Sequence, residues 1–382
     1  MAPAPVAPGP VAPAPAGRPP AEHPAARGGH RFPAALQGLV LVAVLGAVAV
    51  TVRPADLARL GRFLLDEPAW ALGAAAAYAA AFALRTLAWQ LLLPRRLPLA
   101  TLGRLTLAAN LVNHLAPGKL GEVARMALGA RWGLPRAVAV VSVIQARAVD
   151  TAALLAVAGV ALAASLGAGR AAGAAGAGGA GLRPGSGPGS GPALPGAWDA
   201  AALPAAVLVG VATPVLLAVA ARQAPRLARR WPRLEGAAQA LAAVPGRRLA
   251  AAWVLSAASW PLEAGMLAVV TRGLEVRLEP AALVTITLVA VAGQVLAVTP
   301  GGLGTYEANM TAMLYLYGVP PATGFQVALL THLAKYAFAV VAGLEPAWRL
   351  AGGPALLLRR VRAARGPAAR PAAEGEPGED AH

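Results

Sequence analysis

The chain has no cysteine and few charged side chains. Charged residues make up only 13% of its 382 residues, and the 17 acidic residues are far fewer than the 33 lysines and arginines. Without cysteine the chain forms no disulfide and has neither a thiolate nucleophile nor a Cys-ligated metal site. The five histidines show no close metal-ligand spacing. We therefore expect no metal and no other cofactor.

The chain is rich in apolar residues. They make up 57% of the chain, the mean hydropathy is +0.59, and several stretches near the length needed to cross a bilayer carry almost no charge. Ala and Gly inflate this count because they gain little from burial, so only stretches with Leu or Val are taken as spans. The composition predicts an all-α polytopic membrane protein and not a soluble globule.

The positive charge is concentrated beside the apolar stretches. The net charge is +16, and its main carriers are the N-terminal arm, the Arg95/Arg96 turn, the loop 222–248 and the C-terminal tail. The positive-inside rule and anionic headgroups account for this pattern better than nucleic acid does, so no nucleic-acid partner is expected. We expect a multi-pass protein of the cell (plasma) membrane with both termini in the cytoplasm.

Hydropathy predicts six full spans and two interrupted regions. The spans lie at about residues 33–52, 69–93, 135–166, 200–220, 249–270 and 322–348. The interrupted regions, about 99–131 and 281–317, are each broken by Pro and Gly. No half of either region has both the length and the apolarity of a full span, so we interpret both as re-entrant helical hairpins. Counting each as a crossing would raise the number of spans to eight.

Composition also divides the chain into segments. The ends are Pro-rich and lack the apolar residues of a core, which predicts disorder, and the Gly/Pro-rich middle predicts a flexible linker. The predicted segments are a disordered arm at 1–31, a transmembrane domain at 32–350 with halves 32–168 and 199–350, the linker at 169–198 and a disordered tail at 351–382.

The two interrupted regions share a motif. APGKLGEVAR (Ala116–Arg125) and TPGGLGTYEA (Thr299–Ala308) both contain Pro-Gly-x-Leu-Gly followed by a Glu. The order span, span, hairpin, span occurs twice, and placing the basic loops in the cytoplasm inverts the second copy relative to the first. Inverted repeats with paired Gly/Pro breaks are typical of transporters whose binding site lies where the breaks meet.

The breaks predict an anion site. Glycine lets the backbone bend and approach a ligand, and the half-helix that follows presents unpaired N–H groups, which favour an anion and phosphate above all. The cations expected to add positive charge are Arg85, Arg125, Arg147 and Lys335. The carboxylates expected to hold these cations or to carry a coupling proton are Glu122, Asp150, Glu263 and Glu307.

Structural interpretations of the same residues stay open. The Pro-Gly motif can be only a tight turn, with Glu122 and Arg125 a cap and an i,i+3 pair. Arg147 and Asp150 can be a buried structural pair. For Arg85 and Glu263 the alternative is snorkelling or a local hydrogen bond. For His332 the alternative is a role in helix packing.

The motifs together resemble a known family. NLVNHLAPGKLGEVARMAL, SVIQARAVD and TPGGLGTYEANM occur in an order similar to the flippase-like membrane region of lysylphosphatidylglycerol synthases, over roughly residues 34–350. The resemblance implies transfer between leaflets of an aminoacylated phospholipid or a polyprenyl-phosphate-linked sugar. The residues at the family's motif positions are Asn110, Asn113, Pro117, Gly118, Gly121, Glu122, Arg125, Arg147, Asp150, Pro300, Gly301, Gly302, Gly304 and Glu307, and Lys335 completes the predicted binding site.

The predicted function is therefore that of a lipid flippase or transporter for an anionic lipid, either a phospholipid or a polyprenyl-phosphate-linked intermediate. No catalytic residue is assigned, and lysyl transfer is not expected, because the aminoacyl-transferase domain of full-length relatives is expected to be missing. No nucleotide-binding GxxxxGK[ST] motif occurs, so the driving force is expected to come from gradients, consumption of product or mass action. One alternative is an integral-membrane enzyme acting on lipid phosphates, with Glu122 or Glu307 as general base. Another is a non-transporting scaffold for a membrane glycosyltransferase. The expected partners are anionic membrane lipids and a membrane glycosyltransferase or lipid-modifying enzyme.

Overall fold

All regular structure in the described part of the chain is helical. The structure, a computed structural model, describes Gly46 and residues 53–116, 119–176, 202–294 and 299–350. Its α-helices over these ranges are α1 Pro54–Asp66, α2 Pro68–Leu91, α3 Leu99–Leu115, α4 Leu120–Arg131, α5 Arg136–Gly176, α6 Ala202–Arg230, α7 Glu235–Ala242, α8 Gly246–Gly273, α9 Pro280–Gly293, α10 Thr305–Leu316 and α11 Pro321–Leu350. Short 3₁₀ turns in the described part of the chain include Pro232–Leu234 and Pro300–Gly302.

Among the described residues, five helices are long and apolar enough to cross a membrane, namely α2, α5, α6, α8 and α11. They correspond to the second to sixth predicted spans, so the all-α polytopic architecture is confirmed. The first predicted span, the predicted N-terminal arm and the predicted tail lie outside the described residues, apart from Gly46. Large apolar side chains face outward, with Val341 82% exposed and Leu208 68% exposed. This outward apolar surface suits contact with lipid chains.

Proline and glycine set several helix boundaries. Proline occupies the first turn of α1, α2 and α9, where its missing N–H has no intrahelical partner to lose. Just after the C-terminal end of α10, Gly318 has a positive φ of 82° and ends the helix. Pro261 lies inside α8 and Pro346 inside α11, as membrane helices tolerate when neighbouring helices pack around them.

The two halves pack against each other, and the hairpin of each half lies on the other half. Helix α2 of the first half packs along α8 of the second. The first arm of each hairpin lies on the last long helix of the other half, with α3 on α11 and α9 on α5. Small residues permit these approaches: a Cβ on Gly343 of α11 would lie 2.8 Å from the carbonyl oxygen of Leu107 on α3. The packing follows the predicted repeat, while its inversion across the membrane stays a prediction.

Two predicted boundaries differ from the structure. Helix α5 continues to Gly176, past residue 168 at which the first half was expected to end, and residues 177–201 lie outside the described part. Helix α6 continues to Arg230, and the segment predicted as the basic loop 222–248 consists of the end of α6, a 3₁₀ turn, α7 and the start of α8. Alanine-rich sequence explains both differences, since its helix propensity outlasts the strongly apolar stretch.

Candidate functional site

The first break separates α3 from α4. Between them Lys119 adopts a left-handed conformation with φ 59°, while Pro117 and Gly118 lie outside the described residues. The backbone N–H of Gly121 donates to Asn113 Oδ1 at 2.8 Å, across the hairpin. Gly121 is required there because a Cβ would collide with the α3 backbone and with the Asn113 side chain.

The second break separates α9 from α10 and is held by side chains from α11. Its glycines Gly301, Gly302 and Gly304 have φ values of 60°, 78° and 83°. The Tyr336 hydroxyl donates to the Pro300 carbonyl at 3.0 Å. The Gly301 carbonyl accepts from Gln294 Nε2 at 3.0 Å and lies 3.2 Å from His332 Nε2. These contacts fix the loop against α11.

Glu307 anchors the second break from behind. Its Oε2 accepts the backbone N–H of Gly304, the residue that precedes α10, at 2.7 Å, and its Oε1 lies 2.7 Å from His332 Nδ1. The residue is 1% exposed. Glu307 therefore shapes the loop and pairs with a histidine, not with one of the predicted cations.

The two breaks lie against each other. A Cβ built on Gly301 would lie 3.1 Å from the carbonyl oxygen of His114, which is in the last turn of α3. The rings of His114 and Tyr336 are 4.8 Å apart and nearly perpendicular. The end of α3 and the second break thus meet inside the bundle.

A cavity of about 180 Å³ lies between the breaks. Its wall comes from α2, α3, α4, α5, α8, α9 and α11 together with both breaks. Its charged lining residues are Arg85, Lys119, Glu122, Arg125, Arg147, Asp150, Glu263 and Lys335, and its polar ones include Asn110, Asn113, His114, Gln294 and His332.

Four of these charges form a continuous buried network. Lys335 Nζ lies 2.9 Å from Glu263 Oε2, and Arg85 Nη1 lies 2.5 Å from Glu263 Oε1. Arg85 Nε continues the network to Asp150 Oδ1 at 3.2 Å. The members stand on α11, α8, α2 and α5, and none of the four side chains is more than 14% exposed. Paired in this way, charges are tolerated within a membrane bundle.

Aromatic rings support the arginines. The Arg85 guanidinium lies 4.1 Å from the ring centre of Trp260, whose indole N–H donates to the Asp150 carbonyl at 3.0 Å. The Arg125 guanidinium lies 3.8 Å from the ring centre of Trp89 and 3.8 Å from Glu122 Oε2. These cation–π contacts orient both arginines at the cavity wall.

Several buried polar atoms on the lining residues have no hydrogen-bond partner in the described part of the chain. Buried donors and acceptors without partners are costly, so such atoms indicate places that a ligand or water fills. The atoms are Arg85 Nη2, Asn110 Nδ2, Arg125 Nε and Glu122 Oε2.

Residues 36–343, well over half of the chain, match the family described as Lysylphosphatidylglycerol synthase TM region. The chain belongs to this family. The resemblance seen in the Pro-Gly motifs is therefore confirmed, and membership supports a membrane-lipid-related role. No curated protein and no solved structure matches the chain.

The structure brings most of the residues at the family's motif positions to one place. Pro117 and Gly118 lie outside the described residues. Those that shape the breaks without lining the cavity are Gly121, Pro300, Gly304 and Glu307. Those that line the cavity, with Lys335, are Asn110, Asn113, Glu122, Arg125, Arg147, Asp150, Gly301 and Gly302.

The predicted binding set omits two members of the network, Arg85 and Glu263. The snorkelling alternative for Arg85 is wrong, because both its Nε and its Nη1 contact carboxylates inside the bundle. The signal was present in the sequence, since a charge in the middle of an apolar span marks a functional position in membrane proteins. Arg147 Nη1 forms an ion pair with Asp150 Oδ2 at 3.7 Å, but this pair is only partly buried, because the Arg147 side chain is 43% exposed.

Proposed function

We propose that this protein is a lipid flippase that moves an anionic lipid, either a phospholipid or a polyprenyl-phosphate-linked intermediate, between the leaflets of the plasma membrane. The observation that carries the proposal is the charged cavity between two apposed helix breaks within a bundle of membrane helices. Family membership in a lipid-related group supports it.

The lining suits an anionic headgroup. It carries five cations and three carboxylates, so the balance is positive. A volume of about 180 Å³ is smaller than the roughly 300–1,000 Å³ of pockets that enclose drug-sized ligands. The headgroup would therefore occupy the cavity while the acyl or prenyl chains stay in the lipid around the bundle.

The proposed arrangement in the membrane has both hairpins re-entrant, entering from opposite faces, and both termini in the cytoplasm. The protein would act as a transporter and not as an enzyme. Its driving force would come from ion gradients or from consumption of the lipid on the receiving side. A membrane glycosyltransferase or lipid-modifying enzyme is the partner class that would consume it.

Leaflet exchange in proteoliposomes tests the proposal. Purified protein is reconstituted with phospholipids and polyprenyl-phosphate lipids that carry a fluorophore on an acyl or prenyl chain, and a membrane-impermeant quencher reports which label reaches the outer leaflet. We expect the wild type to expose inner-leaflet label that empty vesicles retain. Glu122→Gln and Arg147→Ala should slow this exchange, whereas Arg349→Ala, which removes an exposed cation paired with Glu345 outside the cavity, should not.

The alternatives give different results in the same experiment. Exchange equal to that of empty vesicles for every lipid and variant would reject the flippase. Chemical conversion of the headgroup, detected by mass spectrometry and lost in Glu122→Gln, would instead identify an enzyme. Absence of both, together with unimpaired cellular function of the cavity variants, would favour a scaffold.

A further inference from the structure

The charge of the cavity restricts its ligand. Within the buried network, the two cations Arg85 and Lys335 are balanced by the two carboxylates Asp150 and Glu263. A second set of side chains lines the rest of the cavity: Glu122 offsets one of the three cations Lys119, Arg125 and Arg147. The lining therefore keeps a net charge of +2 if its histidines are neutral.

Hydrogen-bond roles show that the pair of His332 and Glu307 adds no net charge. His332 Nε2 faces the Gly301 carbonyl, which only accepts, so this nitrogen carries a proton. Its Nδ1 faces a Glu307 oxygen and shares one proton with it, which leaves the His332 and Glu307 pair neutral whichever partner holds that proton. His114 Nδ1 lies 2.9 Å from the Asn110 carbonyl, to which it donates.

Lys119 is the cation with the least compensation. Its side chain lines the cavity and makes no hydrogen bond or ion pair to any described residue. Its backbone is left-handed, a conformation that non-glycine residues adopt at an energetic cost. The equivalent position of the second break is Gly302, with φ 78°. Glycine would adopt this backbone conformation at lower energy, so the turn by itself does not account for a lysine here. We take this as an indication that the Lys119 side chain contributes to the site.

The partnerless atoms add a second restriction. Three of the four are donors, on Arg85, Asn110 and Arg125, and only Glu122 supplies an acceptor. A ligand that satisfies them presents several acceptor oxygens in a compact group. A terminal phosphate has three such oxygens and close to two negative charges at neutral pH.

We infer that the cavity selects a dianionic phosphate headgroup, a phosphomonoester or a diphosphate, with Lys119 as its specificity-determining contact. This inference rests on the proposed lipid transport and narrows its substrate. A phosphodiester headgroup brings a single negative charge and leaves the lining positive. A lysylated headgroup adds ammonium groups to a cavity that already has excess positive charge, which disfavours it further.

Comparing the exchange rates of four labelled lipids tests this selectivity. Proteoliposomes of the wild type are supplied with phosphatidic acid, a polyprenyl phosphate, phosphatidylglycerol or lysylphosphatidylglycerol, each with the same fluorophore on an acyl or prenyl chain. We expect the two phosphomonoesters to be exchanged at least about tenfold faster than the other two lipids. A ratio of this size corresponds to the loss of about one charge contact between the headgroup and the cavity. The two phosphomonoesters also distinguish a glycerolipid from a polyprenyl source.

Three substitutions isolate Lys119. Lys119→Gly removes the charge and suits the left-handed backbone, so a folding defect cannot explain its effect. Lys119→Asn keeps a side chain that tolerates this conformation but has no charge. Lys119→Arg keeps the charge. We expect the first two to abolish the preference for phosphomonoesters and the third to retain it.

A binding measurement provides a readout independent of transport. Inorganic pyrophosphate should raise the unfolding temperature of the detergent-solubilised wild type and of Lys119→Arg, but not of Lys119→Gly. Equal exchange of phosphatidylglycerol, or an unchanged preference in Lys119→Gly, would overturn the inference and leave the flippase proposal standing. Absence of exchange for all lipids would reject the flippase, and the pyrophosphate result alone would then decide whether the site is selective.

Discussion

Glu263 holds two cations in place inside the bundle, so neutralising it should destabilise the fold. The carboxylate is 7% exposed and lies 2.5 Å from Arg85 and 2.9 Å from Lys335. Coulomb's law at an effective dielectric constant of about 20 gives each contact about 6 kcal/mol. Neutralising Glu263 also removes the cost of desolvating its carboxylate, and this offsets part of the lost attraction.

The two cations differ in what they lose. Arg85 keeps Asp150 at 3.2 Å, whereas Lys335 has no second carboxylate within 4.0 Å among the described residues. Glu263→Gln therefore leaves the Lys335 ammonium as an uncompensated buried charge. Breaking a buried pair on one side costs about 3–5 kcal/mol, and we expect a loss of that size in the free energy of unfolding.

A double-mutant cycle measures the effect. Unfolding of the wild type, Glu263→Gln, Lys335→Met and the double variant is followed in mixed detergent micelles of increasing denaturing strength. Because the double variant has no stranded ammonium, it should recover most of the stability that Glu263→Gln loses. A loss below about 1 kcal/mol in the single variant, or no recovery in the double variant, would refute the assignment of this network as a stabilising unit.

Two further predictions concern the breaks. Gly121→Ala should cost about 1–3 kcal/mol, measured by thermal unfolding, because its Cβ collides with α3; Gly103→Ala, at a position with open space on the same hairpin, should be neutral or slightly stabilising, and equal effects would contradict the close-packing argument. Glu307→Leu should cost about 1–3 kcal/mol in the same assay, because an apolar side chain leaves both the Gly304 N–H and His332 Nδ1 without their partner; an unchanged melting temperature would exclude this anchoring role.

The helical architecture could be predicted from sequence because the bilayer imposes simple rules. A span needs about 20 apolar residues, and a Pro-Gly pair cannot continue a helix. These rules located the five long helices and both breaks. They failed at the ends of α5 and α6, where alanine continues the helix beyond the strongly apolar stretch.

The candidate site could be predicted only where its residues belong to a local motif. Glu122 and Gly301 stand within the Pro-Gly motifs, and the structure places both at the cavity. Arg85 and Glu263 are 178 positions apart, and no local pattern couples them. Their pairing depends on how α2 packs along α8, which is a property of the tertiary fold.

Lys119 shows a different limit. The sequence places lysine where the second copy of the motif has glycine, but only backbone angles reveal that both residues are left-handed. The unequal choice at one repeated position becomes informative once the conformation is known, since it separates a requirement of the turn from a use of the side chain.

The ionic connection among α2, α5, α8 and α11 has a mechanical consequence. It joins helices from both halves of the molecule, so swinging one half away from the other would strand charges in hydrocarbon. These four helices are therefore expected to behave as a rigid frame. Under the proposed transport, admitting a headgroup from alternate faces would then involve movement of the short arms α3, α4, α9 and α10, which contribute none of the four members of this network.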